Sequence, residues 1–243
     1  MRQPEHASPE LGFLRVGAVC AIVGTLAYGV FGATHGDLEI PTTETALRFV
    51  AARPAWQAVH LLGVLAYLLW AGALVALAGS LTRRSAGALA RLAQASLSIG
   101  TTVMAVDLSL DGIGLKALAD AWASAPVSGQ ADLLRAGDLF IVVLGTTAWS
   151  AQLLVGLAFL LYGLTVLRSR EYPVWLAWGG VVAGAGWLAV GIGLFLDAGF
   201  VQFDQVLISQ LLAALWMLGM GVLMWRRAGQ PVAGQLLSVE TTP

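Results

Sequence analysis

The sequence predicts an all-α fold, a polytopic membrane helix bundle with six transmembrane helices that can be grouped as three repeated hairpins. Three observations carry that expectation. Hydrophobic residues make up 58% of the chain and charged residues only 11%, with a mean hydropathy of +0.80, far from the balance of soluble domains. The apolar residues gather in runs of the ~20 residues that cross a bilayer core of about 30 Å. Most of the basic residues stand in the gaps between those runs.

Taken in order, residues 1–10 (MRQPEHASPE) read as a disordered cytoplasmic tail. The run from Leu11 to Ala33 is too long for the apolar region of a signal peptide and reads as the first span. His35, Gly36 and Asp37 end it, and Pro41-Thr42-Thr43-Glu44 opens a short helix that reaches Arg53 and stops at Pro54. The second span runs from Ala55 to Leu81. The third starts at Leu92, carries Asp107 and Asp111, and continues as an amphipathic helix through Trp122, where Pro126 and Ser128-Gly129 break it. A polar approach from Gln130 to Asp138 leads into the fourth span, Leu139 to Leu167. Glu171-Tyr172-Pro173 is so short a connection that the fifth span, Val174 to Leu196, must be the antiparallel neighbour of the fourth. The sixth ends at Arg226-Arg227. Residues 11–228 thus form a single six-helix transmembrane domain, and 229–243 a flexible cytoplasmic tail.

Orientation follows from the basic residues. The side holding the amino terminus has nine (Arg2, Arg15, Arg83, Arg84, Arg91, Arg168, Arg170, Arg226, Arg227) and the other side four (Arg48, Arg53, Lys116, Arg135). The positive-inside rule therefore puts both termini in the cytoplasm and the chain in a cell's inner membrane. Trp56, Trp122, Trp175 and Trp178 fall near span ends, as an interfacial aromatic belt would. Twelve of the thirteen basic residues are arginine, which fits a high-GC bacterial source. A formal charge of −1 argues against a nucleic-acid partner, and the single cysteine, Cys20, excludes an internal disulfide or a Cys-based zinc knuckle. The implied partner is the lipid bilayer; no cofactor or oligomeric state can be read.

The odd spans share a spacing. Gly24 stands eleven residues before His35, Gly100 eleven before Asp111 and Gly186 eleven before Asp197. The even spans echo one another in His60-LLGVLAYLL, Gln152-LLVGLAFLL and Gln210-LLAALWMLG. This repeat places a polar layer in the outer half of the bundle. Asp107 and Asp111, four residues apart, share one helix face, and a carboxylate at the centre of a span costs about 2.5–3.5 kcal/mol on insertion scales. They are the candidate acid/base residues of a catalytic site. His35, His60, Gln152, Trp149, Asp197 and Gln210 are the candidate ligand-binding residues, and a metal, if held, falls to His60, Asp107, Asp111 and His35. Each also has a plainer role, as an interfacial residue at a helix end or as a hydrogen bond between helices.

The stretch from Asp111 to Trp122, DGIGLKALADAW, and the chain as a whole resemble small bacterial six-helix integral membrane proteins, a resemblance that implies no activity. The chain has no GxxxxGK[ST], HExxH or GxSxG. The expected function is binding of a small molecule or ion in an outward-facing polar pocket. The alternatives are a membrane-embedded enzyme using the Asp and His residues, and a small transporter or pore.

Overall fold

On helix α1 (Pro9–His35) the exposed apolar residues Val16, Val19, Val23, Leu26 and Val30 recur every three or four residues, the spacing of one helix face. Leu14, Ala18, Ala21 and Tyr28 form its buried face. Apolar rows on the outside are what a lipid solvent asks for. Helix α3 (Trp56–Gly79) repeats the arrangement, with Leu61, Leu65, Leu68 and Val75 outward and Tyr67, Trp70, Leu74 and Leu77 inward. The computed structural model describes residues 9–36, 42–81, 84–196 and 203–229, with side chains for 11–36, 42–81, 87–196 and 206–229. Asp197 and most of both tails lie outside the described residues.

Between these two helices stands α2 (Thr43–Ala51), whose start is fixed by the Thr42 hydroxyl accepting the Thr45 amide at 3.2 Å. Then follow α4 (Arg84–Ser109), a π-helical turn (Leu110–Leu115), α5 (Lys116–Ser124), α6 (Val127–Ser169), α7 (Val174–Phe195) and α8 (Phe203–Ala228). The described residues are helices and their connections. Five helices, α1, α3, α6, α7 and α8, are long and apolar enough to cross a membrane. The chain is a membrane-spanning helical protein. Helix α4 is not among the five; Gln94 and Asp107, with Ser96, Ser98, Thr101 and Thr102, dilute its hydropathy.

The long helices pack as a closed ring. Each of α1, α3, α4, α6, α7 and α8 lies against the next in that order, and α8 returns to α1. Aromatic side chains fill the centre, where Trp70, Phe159, Trp187 and Trp216 are buried and Phe159 touches the other three at 5.4–5.9 Å between ring centroids. Helices α6 and α7 meet backbone to backbone. A Cβ at Gly156, Gly163, Gly184 or Gly191 would fall 2.0–2.7 Å from a main-chain nitrogen of the facing helix, so only glycine permits that approach.

The sequence reads Gln130–Asp138 as an approach to the fourth span, whereas α6 is one continuous helix of 43 residues. Nothing in that segment breaks a helix, and Leu133 and Leu134 supply an apolar side that packs inward. At 1.5 Å per residue the helix is about 65 Å long, twice the hydrocarbon thickness. Its first turns pack with α2 and α5 around a second apolar cluster of Leu47, Val50, Trp56, Leu115, Ala119 and Trp122. The Thr43 hydroxyl donates to Asp138 and Arg48 lies over the Trp122 ring, 5.9 Å from its centroid. The result is a cap over one end of the ring.

The other end is tied by Arg227, whose guanidinium meets Glu171 at 2.6 Å, and by Tyr172 and Ser80, whose hydroxyls lie 3.1 Å apart. Burial pushes the Tyr172 phenol above its ordinary range, so it stays protonated there.

Candidate functional site

Beneath the cap, α1, α3 and the π turn bring three polar side chains to one point. His35 is the last residue of α1, and the chain leaves it through Gly36 at φ +80°, a conformation suited to glycine. His60 lies one turn into α3, four residues after Trp56 and therefore on the same face. Asp111 is the second residue of the π turn. Gly112 lets the backbone of this turn close on α3, since a Cβ there would fall 2.5 Å from the Cβ of His60. Such turns are rare and recur at functional sites.

His60 Nε2 lies 3.2 Å and His35 Nε2 3.8 Å from Asp111 Oδ2, with side-chain exposures of 1%, 19% and 17% for His60, His35 and Asp111. Both histidines turn their other nitrogen to a main-chain carbonyl: His60 Nδ1 is 2.8 Å from Trp56 O, and His35 Nδ1 is 3.2 Å from Gly36 O. A carbonyl only accepts, so in each ring Nδ1 carries the hydrogen and Nε2 presents a lone pair when the ring is neutral. His60 Nε2 is buried without a hydrogen-bond partner, its 3.2 Å approach to Asp111 being out of line for one. The Trp56 indole N–H lies 3.2 Å from Asp111 Oδ1 and 3.1 Å from the Asp111 carbonyl oxygen. Rings of Phe31 and Trp56 wall the two imidazoles at centroid distances of 4.5–5.9 Å.

Among the described residues, His35, His60 and Asp111 are the group of His, Cys, Asp or Glu side chains placed to hold a metal ion, their ligand atoms lying within 4.8 Å of one another. Asp107 is not in that group. It is buried one helical turn earlier on α4, where Thr147 of α6 donates to its Oδ1 at 2.7 Å. The other expected ligand residues lie apart. Gln152 accepts the indole N–H of Trp187 in the ring's interior, Trp149 is 37% exposed on α6, and Gln210 is half-buried on α8. Asp197 lies outside the described residues.

A family model described as "Domain of unknown function (DUF4386)" matches residues 16–221, a segment that takes in His35, His60, Asp107 and Asp111. The chain belongs to the DUF4386 family. The match reaches from the first turns of α1 into the second half of α8, so the family unit is the ring of helices with its cap. No curated protein and no solved structure matches the chain.

The sequence reads Trp56 as part of an interfacial aromatic belt, a reading that misses its part in the site. Its position four residues before His60 is the available signal, because i and i+4 on a helix share a face. The π turn has no signal: LDGIGL reads as one more helical turn.

Proposed function

We propose that this DUF4386 protein is a six-span inner-membrane protein that binds a small molecule or ion in an outward-facing pocket beneath the α2–α5 cap. The observation that carries the reading is the convergence of His35, His60 and Asp111 on one point, where the buried side chains among the described residues are mostly apolar. Buried polar groups are costly without partners, and three from three elements facing one another make a site for something that partners them all.

Helix α4 supports the sixth span. Its outward row, Leu92, Ile99, Val106 and then Ile113, is apolar. The exposed hydroxyls of Thr102 and Ser109 fold back onto the carbonyls of Ser98 and Ala105 at 2.8 and 2.7 Å, which removes much of their cost in lipid. The excess of basic residues beside the Arg227–Glu171 end favours that end as cytoplasmic and the capped end as external.

A membrane-embedded enzyme is the second reading. Asp107, held by Thr147 one helical turn before Asp111 and outside the three-residue group, is the carboxylate that would serve as its acid or base.

Thermal unfolding in mild detergent tests the binding reading with a panel of divalent cations, carboxylates, amines and small polyols. At about one hundred times its dissociation constant a true ligand adds about 2.7 kcal/mol, or some 5–10 °C. We expect one class to do so for wild type and not for a His60→Gln/Asp111→Asn double variant. If no compound separates the two proteins, the proposal fails.

A further inference from the structure

We propose that the occupant of this pocket is one divalent first-row transition ion, held by His35 Nε2, His60 Nε2 and Asp111 Oδ2. The inference rests on the binding reading above and names its ligand. Zinc stands about 2.0–2.1 Å from imidazole nitrogen and about 2.0–2.2 Å from carboxylate oxygen, so two ligand atoms on one tetrahedral ion lie about 3.3 Å apart. The two nitrogen-to-oxygen distances, 3.2 and 3.8 Å, bracket that value.

Protonation chemistry argues the same way. Both Nδ1 atoms are committed to carbonyls, so both neutral rings present a bare Nε2 lone pair within 3.2–3.8 Å of the same carboxylate oxygen. Three acceptors facing one another repel. One shared proton satisfies one of the two contacts and leaves the other unmatched. Two imidazolium rings satisfy both but gather two positive charges against one carboxylate where His60 is 1% exposed. A metal ion answers all three lone pairs at once.

The surroundings have the outer shell that metal sites use. Ligating histidines turn the second ring nitrogen to a carbonyl or carboxylate, which fixes the tautomer and the ring plane, and both rings here do so. Asp111 Oδ1 is occupied by the Trp56 indole, which leaves Oδ2 for the ion. Two imidazoles and one carboxylate suit zinc, iron, cobalt or manganese. Calcium and magnesium favour all-oxygen sites and Cu(I) favours sulfur. Three protein ligands leave further positions of the ion to water or a second ligand, the arrangement of catalytic centres rather than closed structural ones.

The test uses the full chain purified in mild detergent, stripped with chelator and titrated with Co²⁺ or Zn²⁺, with elemental analysis after desalting. The expected result is close to one equivalent retained by wild type. Cobalt should give ligand-field bands in the visible with the intensity of a four- or five-coordinate ion. His60→Gln and Asp111→Asn should each weaken binding at least 100-fold, while Gln152→Ala should not. Should either ligand variant misfold, His35→Gln, at the partly exposed end of α1, and the wild-type cobalt spectrum decide the question. A wild type that retains no ion, or gives only the spectrum of hexa-aqua cobalt, overturns the metal. If organic compounds then stabilise wild type and not the double variant, the pocket stands without it; if none does, both proposals fall.

Discussion

The indole N–H of Trp56 lies 3.2 Å from Asp111 Oδ1, and the main-chain carbonyl of the same Trp56 takes Nδ1 of His60 at 2.8 Å. One residue therefore orients two of the three converging side chains, and its ring stands 4.9 Å from that of the third, His35. Trp56→Phe keeps most of the ring contact and removes the N–H. The expected cost in stability is about 2–3 kcal/mol, one hydrogen bond plus the volume lost from a buried indole, and cobalt affinity should fall about 10- to 100-fold. A variant that loses stability but keeps wild-type cobalt affinity would make Trp56 a packing residue only.

Gly112 is where the π turn touches α3. A methyl group there would meet the Cβ of His60 at 2.5 Å, an atom close to the backbone that cannot swing away. Gly112→Ala should destabilise the protein by about 1–3 kcal/mol and disturb the site. Gly186→Ala, which meets nothing within 4 Å on α7, should be neutral or stabilising by a few tenths to about 1 kcal/mol. Thermal unfolding of the two variants side by side checks the contrast.

The contact of α6 with α7 rests on glycines seven apart on each helix, Gly156 with Gly163 and Gly184 with Gly191. A Cβ at Gly184 would fall 2.0 Å from the Leu160 nitrogen, which is main chain and must move with its helix. Gly184→Ala should cost about 3 kcal/mol, the upper range for overpacking. Gly180, four residues earlier, faces the Trp216 indole instead. A single GxxxG spacing thus serves two different neighbours, and Gly180→Ala should act on α8 packing, read out as altered Trp216 fluorescence.

Much of this architecture is legible in the chain because lipid enforces it. Runs such as Trp56–Gly79 must be helical to satisfy their own backbone, and hydropathy finds them without knowledge of packing. The candidate site is legible as residue types at a common depth: His35, His60 and Asp111 all stand out by spacing, and they meet. What is not legible depends on contacts between elements. The π turn changes the register between Asp107 and Asp111, so the two aspartates, stacked on one face of an ideal helix, take different partners, Thr147 and the two histidines. Gln152 lies five residues past Thr147, whose hydroxyl reaches Asp107, so it sits deeper along α6 than the three converging side chains and faces the Trp187 indole across the α6–α7 contact. Both its level and its facing are set by how α4, α6 and α7 pack.

Orientation has a direct check. In a Cys20→Ala background, a cysteine in place of Asp120, exposed on α5 in the cap, should react with an impermeant maleimide added to intact cells. One in place of Gly229, exposed after α8, should react only after lysis. The opposite pattern would turn the cap and its pocket to the cytoplasm.

The two aspartates separate binding from what is done with the bound group. Asp111 Oδ2 faces both imidazoles, whereas Asp107 Oδ1 is occupied by the Thr147 hydroxyl and lies outside the cluster of ligand atoms. Asp111→Asn exchanges a carboxylate for an amide at the point of convergence and should abolish ion retention. Asp107→Asn keeps shape and leaves the amide oxygen to accept from Thr147, so folding should hold within about 1 kcal/mol. An ion held by two neutral imidazoles and one carboxylate would keep one positive charge, and the Asp107 carboxylate, one helical turn from Asp111 and outside the ligand atoms, would offset part of it. Removing that charge should weaken retention a few-fold and leave the stoichiometry at one, while any turnover that needs a base beside the ion should fall by the roughly 10²–10⁴ typical of a lost acid/base group. Measured cobalt affinities for the two variants decide the assignment. If Asp107→Asn loses the ion as completely as Asp111→Asn, Asp107 is itself a ligand and the site is built of four residues.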